Sequence, residues 1–399
     1  MTRYSLRQLS MIGFASLLVI LTIAGYTASA SLAADAETDT VSMGVTIAEQ
    51  PYVPWTEIIS GKEGSYFFYR GLEYGSQALI HPLRLIVNGG YGIMQVENRD
   101  NRPSRIMYAR GAKNVTENIL RPGWSIGING LWDFLSREVI PISINSGNAQ
   151  YWPNYMNHLL GGGMSYRMMT EYFRYHDSRH PKFMAGLTIF AYHFLNEVVE
   201  NNDYIGPTTD PVADFWIFNP AGIILFSNDK IARFFSETLH MSDWSYQPVF
   251  LPWREELQNI GQNFAVKYHL NERGSTSIFY HWGTHAELGM SFTRPDGRCL
   301  SFGLGLVAKN LVKIDQISKT VDLAASAGIF YDRNHSLLVS LLMARTKDYR
   351  YRLNLYPGFV DTGPFKPGIF VALGRENRIM AGITFGTLKH VPVGLGGGF

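Results

Sequence analysis

A chain of 399 residues that is 46% hydrophobic, 14% aromatic and only 17% charged has ample material for a buried core and is too apolar to be disordered. Ordinary soluble domains carry about 25% charged residues, so this deficit, together with 39 glycines, suits a β-protein that meets lipid. A formal net charge of +2 implies no strongly electrostatic partner and argues against nucleic acid.

Residues 1–30 carry the pattern of an export signal. Arg3 and Arg7 precede the apolar run "MIGFASLLVILTIAG", and Ala28-Ser29-Ala30 offers a cleavage site, with Ala33-Ala34 as a second. An uncleaved anchor is the other reading, since the run is near the lower limit for a membrane span. No later stretch reaches the length of an apolar helical span. Removal of the signal takes the charge to 2 − 2 = 0. The single cysteine, Cys299, excludes an internal disulfide.

Residues 31–150 are mixed. "LRLIVNGGYGIMQVE" (83–97) reads as one strand with a Gly-Gly kink, and "NGLWDFLSREV" (129–139) as a short helix. Residues 151–245 read as helical. "NYMNHLLGGGMSYRMMTEYFRYH" (154–176) has apolar residues near helical spacing and a weak point at Gly161-Gly162-Gly163. Pro181 suits the first helical position of "PKFMAGLTIFAYHFLNEVVEN". Asp210 is the expected cap of "DPVADFWIF", and Ser227 or Asn228 of "DKIARFFSETL". These helices are apolar on nearly all sides, so burial or a membrane surface is expected.

From 262 to 399 apolar and polar residues alternate. Phe264, Val266, Tyr268 and Leu270 oppose Asn263, Lys267 and His269. Ile278, Tyr280 and Trp282 oppose Ser277 and His281. In "HAELGMSFTRPDGRCLSFGLGL" Leu288, Met290 and Phe292 oppose Glu287, Gly289 and Ser291, and Leu300, Phe302, Leu304 and Leu306 oppose Cys299, Ser301, Gly303 and Gly305. Period two predicts strands, and Asn271–Gly274, Pro295–Gly297, Asp332–Asn334 and Gly374–Asn377 predict the hairpin turns.

The last strand, "KHVPVGLGGGF", resembles the terminal strand of Gram-negative outer-membrane β-barrel proteins, which end in Phe after alternating apolar positions. Val393, Leu395 and Phe399 match that pattern and Gly397 departs from it. The resemblance covers the signal and the last third of the chain. It implies outer-membrane lipid and the barrel-insertion machinery as partners. The fold expected is mainly β with a helical insert: an antiparallel membrane β-barrel of about 10–12 strands over residues 262–399, closed by a strand from the N-terminal region. Residues 151–245 would plug the lumen or cap its periplasmic end. A periplasmic β-rich protein is the alternative location.

Three constellations could carry chemistry. Pairing Trp282 with Ala286 puts His281 opposite Glu287 on the inner face and Ser277 opposite Ser291. His281, Glu287 and Ser277 contain the elements of a hydrolase, although Ser277 is roughly 13 Å along the strand from His281, and a self-satisfied polar pair is the plainer reading. His193, Glu197 and Glu200 share one helix face, with His158, Asp210 and Asp214 on flanking segments. This set could bind a divalent metal, with Zn, Mn or Fe favoured over Ca; a polar helix end is the plainer reading. Arg350, Arg352 and Arg378 could form a basic strip that holds anions or phosphate groups, or simply balance Asp322 and Glu287. The expected function is an integral outer-membrane protein without catalysis, a plugged channel or an envelope scaffold. The alternative is a membrane-lipid hydrolase or metal-dependent enzyme, so the sequence leaves open whether the protein is catalytic and which cofactor it uses.

Overall fold

The computed structural model describes residues 62, 64–128, 130–140, 155–313, 319–360, 365–386, 388 and 390–398. The expected export signal and Phe399 lie outside them. The helices of eight or more residues among the described residues are α1 (Pro82–Gly90), α2 (Tyr108–Leu120), α3 (Gly163–Tyr175), α4 (Pro181–Asn201) and α5 (Asn219–Phe226), apart from the π-helical run Tyr155–Gly162. The strand expected over 83–97 is instead α1 followed by a 3-10 turn at Gly92–Gln95. Pro82 opens the helix, and the His81 ring accepts from the Leu83 N–H at 3.2 Å. These local start signals outrank the apolar run.

Pro181 stands at the start of α4, as expected, and Asn228 caps Asp229–Arg233 by accepting from the Lys230 N–H at 2.9 Å. Asp210 begins its short helix, Asp210–Ala213, and does not cap it. The triple glycine marks the passage from the π-helical run into α3. A Cβ on Gly222 of α5 would lie 2.8 Å from the Leu159 carbonyl and 3.2 Å from the Gly163 Cα, so glycine at this crossing lets the two backbones touch.

Among the described residues thirteen strands form one sheet: β1 (Ser242–Asp243), β2 (Val249–Leu251), β3 (Glu256–Gln258), β4 (Phe264–His269), β5 (Thr276–Trp282), β6 (His285–Thr293), β7 (Arg298–Lys313), β8 (Lys319–Arg333), β9 (Ser336–Ala344), β10 (Tyr351–Leu355), β11 (Pro367–Leu373), β12 (Ile379–Phe385) and β13 (Gly394–Gly398). Their order is β1-β4-β5-β6-β7-β8-β9-β10-β11-β12-β13-β2-β3. From β4 to β13 every neighbour is the next strand in sequence, and each pair is antiparallel.

The expected antiparallel barrel of 10–12 strands is therefore corrected. The sheet is mixed, because β13 runs parallel to β2, and its order has two ends, β1 and β3, with no ladder between them among the described residues. The additional strands come from 242–258, upstream of the alternating region, where Pro and Trp interrupt the period that identifies strands. Both ends belong to one bent hairpin. Ser242 pairs with Ala265 and Leu251 with Glu256, and the N–H groups of Trp244 and Tyr246 donate to the Asn263 and Gly261 carbonyls between those pairs.

The two faces of the sheet differ sharply. Leu304 is 73% exposed and Leu288 61%, and Ile278, Phe292, Phe302, Ile379, Ile383 and Leu395 are also exposed. The alternate positions, Lys267, Ser277, His281, Glu287, Ser291, Ser301, Ser340, Arg352 and Asn354, are buried at 2% exposure or less. Trp244, Tyr246, Phe279, Phe330, Leu342, Tyr356 and Phe370 pack among these polar groups. Leu79 of the 3-10 turn Gly75–Leu79 joins this cluster, whereas α3 and α5 lie elsewhere. Met164, Met168, Met169 and Tyr172 of α3 and Phe226 of α5 share a core with Phe264 and Trp282. These last two belong to the outward set of β4 and β5, so the helices stand beside the sheet and not within it.

Lys267 and Asp332 form a buried ion pair between β4 and β8, with the Lys267 Nζ also donating to Cys299 Sγ at 3.2 Å. Lys267→Met strands a buried carboxylate and should cost about 3–5 kcal/mol, whereas Lys267→Met combined with Asp332→Leu should recover most of the loss. Urea midpoints followed by gel mobility decide the matter; equal losses in the single and double variants would contradict the pairing.

Candidate functional site

The hairpin between β5 and β6 has the register expected from sequence: Trp282 pairs with Ala286, His281 with Glu287 and Ser277 with Ser291. The His281 Nδ1 lies 3.2 Å from Glu287 Oε2. The other carboxylate oxygen, Oε1, is 3.3 Å from the His285 Nδ1, without the alignment of a hydrogen bond. The far nitrogen of His285 contacts the Tyr349 hydroxyl at 2.6 Å. The Arg352 guanidinium lies 3.9 Å over the Tyr349 ring and 4.7 Å over that of Tyr246. One chain of contacts thus runs from β5 through β6 to β10.

Ser277 does not join that chain. Its hydroxyl contacts the His269 Nδ1 at 2.8 Å, and the residue is fully buried. The structure brings His281 and Glu287 together and leaves Ser277 with a different imidazole, out of reach of a lipid substrate. This arrangement stabilises buried polar groups and presents no accessible nucleophile.

On the helices, the candidate metal residues divide into two neighbourhoods. The His158 Nε2 lies 3.3 Å from Asp214 Oδ2, and the His158 and His193 rings are 4.5 Å apart. Glu197 and Glu200 of α4 meet Asp210, with one oxygen of each within 4.8 Å of the others. The second group offers oxygen only, a donor set suited to Mg, Ca or Mn; the imidazoles that favour Zn or Fe belong to the first. Burial, reinforced by neighbouring His158, pushes the His193 imidazole well below its usual range. Its Nδ1 is buried without a hydrogen-bond partner.

The three arginines do not form a strip. Arg352 is buried in the sheet interior, and Arg378 pairs with Glu256. Arg350 lines a cavity of about 460 Å³ with Lys309, Leu323, Ala324, Arg345, Thr346 and Arg375. Arg350 precedes β10, so the alternation that places Arg352 inside does not extend to it. The expected partner acid Asp322 is exposed and opposes Asn310.

Sequence reasoning missed several residues. His285 and Glu287 are two apart on one strand, so period two places both on the inner face. No local signal joins His240, His269 and His335, whose rings gather at the other end of the sheet with centroids 4.2 Å and 4.8 Å from His240. Burial, then His269 and Arg70, bring the His240 pKa down to about 4. His240 and His335 hold φ of 45° and 62°, a backbone shape the sequence does not announce. Comparison with protein-family models, with curated proteins and with solved structures finds no match.

The unfolded chain protonates His193 near pH 6.5, whereas the folded chain resists protonation far below that. Its contribution is therefore fully present above that pH and is lost as pH falls through it, by up to about 1.4 kcal/mol per pH unit. His193→Gln should flatten the fall in urea midpoint between pH 7 and pH 5.5 that this linkage predicts. Parallel curves for variant and parent would contradict this.

Proposed function

We infer that the chain is an integral protein of the outer membrane that acts as an envelope scaffold and conducts no solute. One observation carries this reading: the sheet is inverted relative to a water-soluble protein, with Leu, Ile and Phe exposed and Lys, Glu, Arg and Ser buried on the alternate positions. In water that arrangement would expose an apolar surface far beyond an ordinary patch. In hydrocarbon the outward side chains meet their natural solvent. Hydrocarbon also requires backbone groups to be bonded within the protein; the ladders from β4 to β13 supply those bonds between these strands, and β1 and β2 pair with the outer edges of β4 and β13.

The scaffold reading rests on the interior. A bore wide enough for water would expose the residues lining it to solvent. Ser277, Phe279, Glu287, Ser291, Ser301, Phe330, Ser340 and Asn354 show no such exposure. The apolar run ending in small residues at 1–30 and the resemblance of the terminal strand support the outer membrane as the location.

Carbonate-resistant flotation of the full chain with lipid vesicles is the expected result. Leu288→Arg and Leu304→Arg should each reduce the membrane-integrated fraction, because a cation at the lipid face near the midplane costs about 2–4 kcal/mol. At water-exposed positions the same changes would be neutral, and that outcome would overturn the membrane reading. Planar-bilayer recordings should show no conductance steps; regular steps abolished by a bulky substitution at Ser340 would make the protein a channel.

A further inference from the structure

We propose that the cavity lined by Lys309, Arg345, Arg350 and Arg375 is a binding site for a phosphate group, and that the phosphate belongs to an anionic lipid headgroup. The lipid source rests on the membrane reading above; the phosphate chemistry does not. The cavity has a volume of about 460 Å³, within the range of small-molecule sites. Four cations converge on it. Glu97 contacts two of them, pairing with Arg375 and lying 3.8 Å from Lys309. Against that one acid the balance is 4 − 1 = +3. Arg345 and Arg350 have no carboxylate partner among the described residues. Two arginines elsewhere show the contrast: Arg167 meets both Glu171 and Asp229, and Arg378 meets Glu256.

Like charges brought together without counter-charge repel, so the arrangement favours an anion with several acceptor oxygens. Phosphate is that anion. Guanidinium groups bind it through paired N–H donors, and the ammonium of Lys309 adds a point charge. Position identifies the source. The cavity sits where β7 leaves and β8 enters the sheet, and Leu323 and Ala324 form its apolar wall. Leu323 is itself exposed on the outward side, as are Leu304 and Leu306 of the adjoining strand. Lys309 follows Leu306 by three residues, roughly 10 Å along a strand. The cations therefore stand just beyond the apolar band, at the level of headgroups, where basic pockets capture anionic lipids.

Native mass spectrometry of the detergent-purified full chain tests this, with phosphatidylglycerol, phosphatidylethanolamine and inorganic phosphate as separate probes. Phosphatidylglycerol should be retained best, and Arg345→Gln with Arg350→Gln should weaken it by about tenfold or more, the loss expected of two charge-assisted contacts. Arg233→Gln, on an exposed helix away from the cavity, should change nothing. Arg345→Lys with Arg350→Lys keeps the charge and should lose less than the glutamine pair; heat-dependent gel mobility confirms that each variant is folded. Inorganic phosphate bound with the same arginine dependence, in the absence of phosphatidylglycerol binding, would sustain the pocket and overturn its lipid source. Equal retention of phosphatidylglycerol by parent and glutamine pair, or retention of none of the probes, would overturn the proposal. Flotation is scored separately: a parent chain that fails to float defeats the membrane reading and leaves the phosphate result standing by itself.

Discussion

A strand has two faces, and in this sheet the inward one carries the charges. Lys267, Glu287, Asp332 and Arg352 are all buried among aromatic rings, and each must find its partner within the protein. Their contacts run across strands: Lys267 to Asp332 from β4 to β8, His281 to Glu287 from β5 to β6, Tyr349 to His285 from the β10 side back to β6. This ties the register of distant strands together. A slip of one residue anywhere would turn the charged set outwards and the leucines inwards, so both faces reject it.

The same constraint explains the mixture of small and large residues on the inner face. A Cβ on Gly328 would lie 2.5 Å from the Phe330 ring and 2.7 Å from Glu287 Oε2, and one on Gly303 would lie 3.0 Å from the Glu287 Cβ. Glycine on one strand makes room for the carboxylate and the ring supplied by its neighbours. Ser291 and Ser301, 2.6 Å apart, satisfy each other where no charge reaches. The alternation of glycine, serine and charge is thus the packing pattern of a filled interior, and a water-lined bore is not needed to account for it.

The strands from β4 to β10 and β12, the hairpin turns at 271–274, 295–297, 332–334 and 374–377 and the pairing of His281 with Glu287 are legible in the sequence because period two and turn chemistry are local. Pro181 is a local signal of the same kind, and it marks the start of α4. What escapes is non-local or ambiguous. The segment 242–258 carries three short strands but too few alternating positions to declare them, and the parallel pairing of β13 with β2 depends on where two distant segments meet. The run 83–97 is apolar enough for a strand, and only Pro82 and His81 tip it towards a helix. Among the candidate sites, the alternation places Arg352 on the inner face but gives no sign that Arg350, two residues earlier, leaves the strand and joins Lys309, Arg345 and Arg375. Sequence spacing groups Ser277 with the wrong imidazole, because His269 comes from the opposite neighbour of β5.

The helices extend the argument from the sheet to its surroundings. One side of α4 is buried through Ala185, Ile189, Tyr192 and His193, and the other exposes Phe183, Leu187 and Phe190. Phe190 meets Phe215 with ring centroids 5.2 Å apart, and the neighbouring Trp216 donates through its indole N–H to the Ile119 carbonyl at the end of α2. Trp216, itself exposed, thus stands beside the end of α2, where Leu120 is exposed. Phe183 to Asn196 contains no Asp, Glu, Lys or Arg, a stretch of roughly 21 Å at helical rise. That is short of the hydrocarbon thickness of about 30 Å, and no described helix is long and apolar enough to cross a membrane. On the membrane reading, a helix of this kind would satisfy both of its faces by lying along the boundary, one face on α3 and the sheet, the other in the outer part of the acyl layer. On the membrane reading, the sheet and the helices would then meet the same solvent in two ways, the strands through the bilayer and the helices at its surface.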